Sequence, residues 1–283
     1  MVDRASKSEL RTTWDAAAPG WAKWEQQLSA VLKEVTDTLI DGAGVGPGMR
    51  VLDVACGAGS QSIQMAKRVG PGGSIVASDI SGIMLERVCQ SADREGIENL
   101  ETLECSAEDL DEGQAPFDAS ICRLGLMLFP APSDALQAIG RVLKPGARFA
   151  ALVFTTPANN QYMAEPMRIL LRHAGKQPPA PGQPGIFALG GDGVLETLLK
   201  ESGFADVKTK TVQASLGLPS ATIALQMMQQ AFGAYRAVVA DLDDTEKSEA
   251  WAEVLDCLKR FEGNDGFETE FEFIIGSGAK MIP

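Results

Sequence analysis

One acid and two glycines head the list of residues in this sequence that could do chemistry. In Val51-Leu52-Asp53-Val54-Ala55-Cys56-Gly57-Ala58-Gly59, Asp53 interrupts an apolar run that Gly57 and Gly59 then close. A carboxylate in such a run needs a polar partner once buried. The glycines allow a sharp turn and let a ligand come close to the backbone. A second apolar run, Ser74-Ile75-Val76-Ala77-Ser78-Asp79, ends in an acid 20 residues after Gly59. That carboxylate can accept two hydrogen bonds from a ribose diol. It could instead cap the following helix, a role for which Ser81 competes. Candidates for proton transfer are few. His173 is the single histidine, an imidazole able to serve as a base near neutral pH, or a solvated cation at a helix end. Tyr162 is the other candidate. The five cysteines, Cys56, Cys89, Cys105, Cys122 and Cys257, show no paired spacing, so reduced thiols and no metal site are expected.

The elements that must position these groups follow from hydrophobic periodicity. Val51 to Ala55 suits a strand buried on both faces of a parallel sheet, and Ser60 to Arg68 reads as a helix. Pro47-Gly48, Pro71-Gly72 and Pro145-Gly146 each follow a helical stretch and precede a β-rich run. Strands are expected near 49–55, 74–79, 100–104, 117–122 and 147–154, and helices near 59–69, 81–95 and 133–142. This alternation implies right-handed βαβ units. Further helices fit 165–173, 194–202, 220–240 and 246–262, with a strand at about 205–214 and a last one at Phe267–Ile275. The fold class is therefore α/β, a Rossmann-like seven-stranded sheet, mostly parallel with its last strand antiparallel and helices on both faces.

The N-terminal part is different. Leu28, Val31, Leu32, Val35 and Leu39 recur at helical spacing, which predicts an amphipathic helix over about 24–41. Trp14, Trp21 and Trp24 crowd an arm where a mere linker would not need them. Trp14 is expected in a lid over the ligand, and Trp21 and Trp24 as staples to the core. Residues 1–44 thus read as a helical arm or lid, and 45–283 as one α/β domain. Within it, about 155–191 mixes apolar residues with a proline-rich stretch and is expected to form an ordered cover on the substrate side.

The glycine turn, together with Cys122-Arg123-Leu124-Gly125-Leu126-Met127-Leu128-Phe129-Pro130 after the fourth strand, resembles the class I S-adenosylmethionine-dependent methyltransferases, in particular the ubiquinone/menaquinone-biosynthesis C-methyltransferase type. The resemblance implies S-adenosylmethionine as cofactor. Asp53, Ala55, Gly57 and Gly59 would surround its amino-acid end, Asp79 its ribose, and Ile80 and Met84 its adenine. Ser106, Ala107 and Glu108 fall where such enzymes read the adenine amino group, with Ser106 in place of the usual acid. Cys122 and Arg123 would lie by the methionine portion, and Leu126 and Met127 by the methyl-transfer centre. For Arg123 a surface ion pair is the other reading. Trp14, Met127 and Tyr162 are the implied substrate contacts, with His173 and Tyr162 as catalytic candidates.

Charge narrows the acceptor. The formal net charge of −13 and the absence of basic runs argue against nucleic acid. No signal peptide or long apolar span is visible, so a cytoplasmic monomer or homodimer without a membrane span is expected. The expected reaction is in-line methyl transfer to carbon or oxygen of a small hydrophobic molecule, a quinol, phenol, polyketide or terpenoid. Two alternatives stand beside it. A nicotinamide-dependent oxidoreductase or epimerase would need a third glycine, where Ser62 stands, and a Y-x-x-x-K pair, which neither Tyr162 nor Tyr235 offers. A non-catalytic cofactor-binding protein is the other.

Overall fold

The computed structural model describes residues 4–114, 116–180 and 182–282. Two helices come first, α1 (Arg4–Lys23) and α2 (Glu25–Gly42). Strands and helices then alternate: β1 (Arg50–Val54), α3 (Ser60–Val69), β2 (Ser74–Asp79), α4 (Gly82–Glu95), β3 (Leu100–Glu104), β4 (Phe117–Arg123), α5 (Pro132–Val142) and β5 (Leu143–Phe154). The remainder comprises α6 (Gln161–His173), α7 (Val194–Glu201), β6 (Phe204–Leu218), α8 (Ala221–Ala231), α9 (Gly233–Val238), α10 (Asp244–Leu258), β7 (Glu262–Gly263) and β8 (Gly266–Lys280).

One sheet joins all the strands in the order β3-β2-β1-β4-β5-β8-β6, with β7 paired to β8. The strands from β3 to β5 are parallel, and β8 runs antiparallel between β5 and β6. Eight strands stand where seven were expected. The extra one, β7, is two residues that the turn at Gly263–Gly266 folds back on β8. Chain order reverses between β1 and β4. Open sheets have a crevice at such a switch point, beyond the carboxyl ends of the strands. β1 is sealed on both faces, as its apolar run requires: Val51, Leu52 and Asp53 are all completely buried.

The arm is helical from residue 4 and is seated on the C-terminal half of the chain. Ala17 and Ala18 are fully buried. Gly20 lies so close to α8 that a Cβ there would come 1.7 Å from the Gln230 carbonyl oxygen. Trp24 staples α2 in the expected way, its Nε1 donating to Gln230 Oε1 at 2.9 Å. The helix expected over 220–240 is instead two, broken at Phe232. Arg236 satisfies the backbone at the break. Its guanidinium donates to the Gln229 and Gln230 carbonyls that the break leaves free, and to the Ala16 carbonyl of α1.

The segment 155–191 is tied to the sheet at its two ends. Asn160 binds it to β8, donating to the Glu272 carbonyl and accepting from the Glu272 amide. Gly190 packs on the Thr155 carbonyl, 2.2 Å from where a Cβ would sit. The described part of this segment puts no residue into the cavity described next, although Gly185 packs on the loop after β4, donating its amide to the Met127 carbonyl.

Candidate active site

A cavity of about 1120 Å³, counting its open mouth, sits at the switch point under α1 and α2. Its floor is the turn after β1, with Ala55, Gly57 and Ala58, and the ends of β2 and β4, with Asp79 and Arg123. Asp79 is buried at 7% exposure, and both its oxygens are engaged. One accepts the Gly57 amide and the other the Ser81 amide, each at 2.9 Å. Burial pushes the Asp79 carboxyl up, and those amides partly offset the effect. Capping of α4 falls to Ser81, whose hydroxyl accepts from the Met84 amide, so Asp79 is free of that role.

Two non-glycine residues on the cavity wall adopt left-handed backbone, Ala55 at φ 54° and Leu124 at φ 62°. Both follow central strands, β1 and β4. Such conformations cost energy and collect where a site is shaped at the expense of local comfort. The turns meet at Gly125, where a Cβ would come 2.7 Å from the Ala55 Cβ.

Arg123 closes the floor on the other side. Its guanidinium donates to Thr36 Oγ1 at 3.0 Å and to Ser60 Oγ at 2.8 Å. Among the described residues no carboxylate comes within ion-pair distance of it. Burial lowers its proton affinity, and the negative field of Asp53 partly restores it. The surface ion pair is therefore not what this residue makes.

Most of the expected cofactor residues converge here: Ala55, Gly57, Asp79, Ile80, Met84, Ser106, Ala107, Glu108 and Arg123 all line the cavity, as does Trp14 from α1. Others stand behind the wall. Asp53 is fully buried beneath it, accepting from Ser62 Oγ at 2.5 Å and Gln61 Nε2 at 3.4 Å. Burial pushes its carboxyl up to about 7. Gly59 is the N-cap of α3 at φ 86°, and a Cβ there would meet Val88 at 2.8 Å, so it serves helix packing. Cys122 and Met127 are buried in the core away from the cavity. Met127 points inward while its carbonyl accepts from the Gly185 amide.

Neither catalytic candidate reaches the cavity. Tyr162 is completely buried against Phe267 and Phe271, its hydroxyl 3.5 Å from the Ala224 carbonyl. Its place on the apolar face of α6 makes it a core residue. His173 ends the same helix and meets Glu253 of α10 through Nε2 at 2.9 Å, far from the switch point.

Sequence reasoning missed the contribution of α2. Glu25, Leu28, Ser29 and Leu32 share one helical face and line the cavity. Their i, i+3, i+4, i+7 spacing puts them on one face, but the periodicity of the leucines alone does not tell a core-facing side from a cavity-facing one. Trp21, expected as a staple, lines the cavity as well. Three polar atoms of lining residues are buried without a hydrogen-bond partner: Trp21 Nε1, Gln61 Oε1 and Glu108 Oε1. Native structures leave few such atoms, so each calls for a ligand or water.

A family model described as a methyltransferase domain matches residues 46–169. The ubiquinone/menaquinone biosynthesis C-methyltransferase UbiE of Pseudomonas fluorescens is 37% identical over 121 residues, 42% of this chain and 47% of that protein. The chain thus spans about half the length of that relative. It spans more of the 2-phytyl-1,4-naphtoquinone methyltransferase of Trichormus variabilis, with 31% identity over 157 residues, 55% of this chain and 69% of the relative. Among solved structures, the YcgJ protein of Bacillus subtilis superposes with a TM-score of 0.60 at 17% identity, covering 89% of this chain and all of that one. A geranyl diphosphate methyltransferase solved with GPP and sinefungin gives 0.51 at 16% identity, covering 88% and 78%. At such identities these two speak for the fold alone.

Proposed function

This chain belongs to the class I S-adenosylmethionine-dependent methyltransferases, and we propose that it transfers a methyl group to carbon or oxygen of a small, largely apolar acceptor of the quinol or phenol type. The observation that carries this reading is the two-sided make-up of the cavity. One side offers Asp79, Gln61 and Glu108 as acceptors, and the other is walled by Trp14, Leu28, Leu32, Leu128 and Phe129.

The residues present fit S-adenosylmethionine. The orphaned oxygens of Gln61 and Glu108 want donors, and the ligand carries amino and hydroxyl groups. Asp79 keeps lone pairs free after accepting two amides, enough for a ribose diol. Gly57 leaves open space where a Cβ would stand. Ile80 and Met84 supply apolar contact for a base, and the backbone at Ser106 and Ala107 lies beside them. The Ser106 hydroxyl itself donates to Asp109 at 2.8 Å, so Glu108 is the better partner for the base's amino group.

When bound, the sulfonium supplies a methyl carbon electrophilic enough to need no activation by the protein. The chain's task is then positional. Holding nucleophile and methyl within about 3–3.5 Å and in line can remove several kcal/mol of barrier. Trp14, Leu28, Leu32 and Phe129 exclude water around that line. The N-terminal half of α1 acts as a lid, held by Lys7 to Asp109 at 2.7 Å and by Arg11 to Glu104 at 2.9 Å. Because His173 and Tyr162 stand outside, the wall presents neither imidazole nor phenol to the acceptor. An acceptor already nucleophilic near neutral pH suits such a wall, and quinols and phenols have that property. The quinone chemistry named for both sequence relatives supports the same class.

Calorimetry with S-adenosylhomocysteine and, separately, NAD tests the cofactor side: the first binds and the second does not. Incubation with tritiated methyl donor and a panel of quinols, phenols and amines tests the acceptor side. Label moves into the quinol or phenol products. Labelling of amines alone would overturn the acceptor class.

A further inference from the structure

Two tryptophans stand about one turn apart where α1 meets α2, and the fold treats their indoles differently. Trp24 donates from Nε1 to Gln230 Oε1 at 2.9 Å. Trp21 lines the cavity, yet its Nε1 is buried and has no partner. Its ring packs on Phe232, with centroids 6.5 Å apart, and that neighbour offers carbon only. A buried donor left unpaired carries its full desolvation cost. Buried tryptophans usually reach a partner for that reason. Of the three orphaned polar atoms on lining residues, Gln61 Oε1 and Glu108 Oε1 are acceptors, and Trp21 Nε1 is the donor.

The position of Trp21 along the arm sets it apart from the nucleoside side of the cavity. Lys7, Arg11 and Asp15 contact Asp109, Glu104 and Ser81, close in the chain to Ser106, Glu108 and Asp79. Trp21 stands about 20 Å further along the helix than Lys7, in the half that is seated on α8. Trp14, Leu28 and Leu32 of the arm wall the same cavity with apolar surface.

An indole N–H donates and cannot accept, so it selects an atom with a lone pair and rejects an ammonium. We infer that Trp21 donates a hydrogen bond to a ring oxygen of the methyl acceptor, and so decides how that acceptor lies in the cavity. The inference rests on the methyltransferase reading and names the residue that selects an oxygenated aromatic over a hydrocarbon of the same shape. A donor at this point also favours the ionised oxygen of a phenol. That suits a wall with no imidazole or phenol to take the proton. Trp21 lies outside the residues 46–169 that the family model matches. The arm therefore does more than cover the site, since choice of acceptor depends on it.

The test uses the full chain saturated with S-adenosylhomocysteine and two probes of one shape, 1-naphthol and naphthalene. Calorimetry on the wild-type protein shows a preference for the naphthol. Trp21→Phe keeps an aromatic ring and removes the N–H. It lowers that preference about tenfold, the scale of one hydrogen bond to a buried donor. Naphthalene affinity holds or rises, because the variant buries no unpaired N–H beneath it. A residue that served packing alone would change both probes together. A second measurement needs no variant. In the ¹⁵N-labelled wild-type protein, the assigned Trp21 indole resonance moves with 1-naphthol and not with naphthalene. The Trp24 resonance, already bonded to Gln230, stays in place under both. Equal loss for both probes, a Trp21 resonance indifferent to 1-naphthol, or a wild type with no preference for it overturns the inference. So does weakened S-adenosylhomocysteine binding in Trp21→Phe, which would assign the indole to the cofactor. In each of these outcomes the wild type still binds S-adenosylhomocysteine and the methyltransferase reading survives. If the wild type binds none, that reading fails first and takes the role of Trp21 with it.

Discussion

The Asp79 carboxylate accepts the Gly57 amide at 2.9 Å, tying the end of β2 to the turn after β1. The same side chain accepts the Ser81 amide and so also sets the start of α4. One acid thus shapes the floor of the cavity and faces into it. Asp79→Ala is expected to weaken S-adenosylhomocysteine binding by about 1–3 kcal/mol, the scale for losing hydrogen bonds to a charged group. It also lowers the melting temperature, because two amides lose their acceptor. Calorimetry and thermal melts measure the two effects separately, and unchanged affinity would remove the ribose role from Asp79.

The two glycines of the turn have different tasks, and alanine distinguishes them. At Gly57, φ is 56° and a Cβ would meet nothing within 4 Å. Gly57→Ala costs about 1–2 kcal/mol of backbone strain and puts a methyl group into ligand space, so affinity falls in a chain that still folds. At Gly59, φ is 86° and the Cβ would strike Val88 at 2.8 Å. Gly59→Ala adds that clash to the strain and pushes α3 off α4. Its melting temperature drops below that of Gly57→Ala, while any folded protein keeps much of its affinity. The reverse order in melts and calorimetry would show that the turn is used differently.

The central βαβ units were legible because their strands are short apolar runs bounded by Pro-Gly and Gly-x-Gly signals, which few other structures satisfy. The acid at position 79 was legible for the same reason, since a strand end fixes where its last side chain points. Helical faces were harder. Tyr162 and Glu25 both sit on amphipathic helices, and sequence alone does not say which face meets core and which meets a cavity. Tyr162 went to the core among Phe267 and Phe271, and Glu25 went to the cavity. Met127 belongs to a short helical turn whose two sides differ by one residue, and its neighbour Leu128 lines the cavity instead.

The lid is held by two kinds of contact, which separate experimentally. The N-terminal half of α1 is tied by the Lys7–Asp109 and Arg11–Glu104 pairs, and its C-terminal half by buried Ala17, Ala18 and Gly20. Pro19 lies within the C-terminal half and cannot donate to the Asp15 carbonyl, which weakens the helix just where the two halves meet. Lys7→Ala with Arg11→Ala should change stability by less than about 1 kcal/mol, as exposed ion pairs do. Release of S-adenosylhomocysteine in stopped flow should become faster, and added salt should reproduce the effect in the wild-type protein. Gly20→Ala instead unseats the helix and lowers the melting temperature. A release rate that ignores both the double substitution and salt would show that α1 does not gate the cavity.

Asp53 makes stability depend on pH in an unusual direction for a carboxylate. Burial pushes its carboxyl up to about 7 in the fold, against about 3.9 in an unfolded chain. A group raised by folding stabilises fully below its unfolded value, and that contribution is lost as pH climbs to the folded one. The window for loss is therefore about pH 4 to 7, with a ceiling on the order of 4 kcal/mol. Asp53→Asn keeps the shape and removes the titration, and Ser62 can rotate its hydroxyl to suit the amide. The variant's melting temperature, compared with wild type, should be lowest at the acid end of that window and rise steadily to pH 8. A gap that stays flat across the window would mean that Ser62, Gln61 and the field of Arg123 hold the ionised carboxylate without cost.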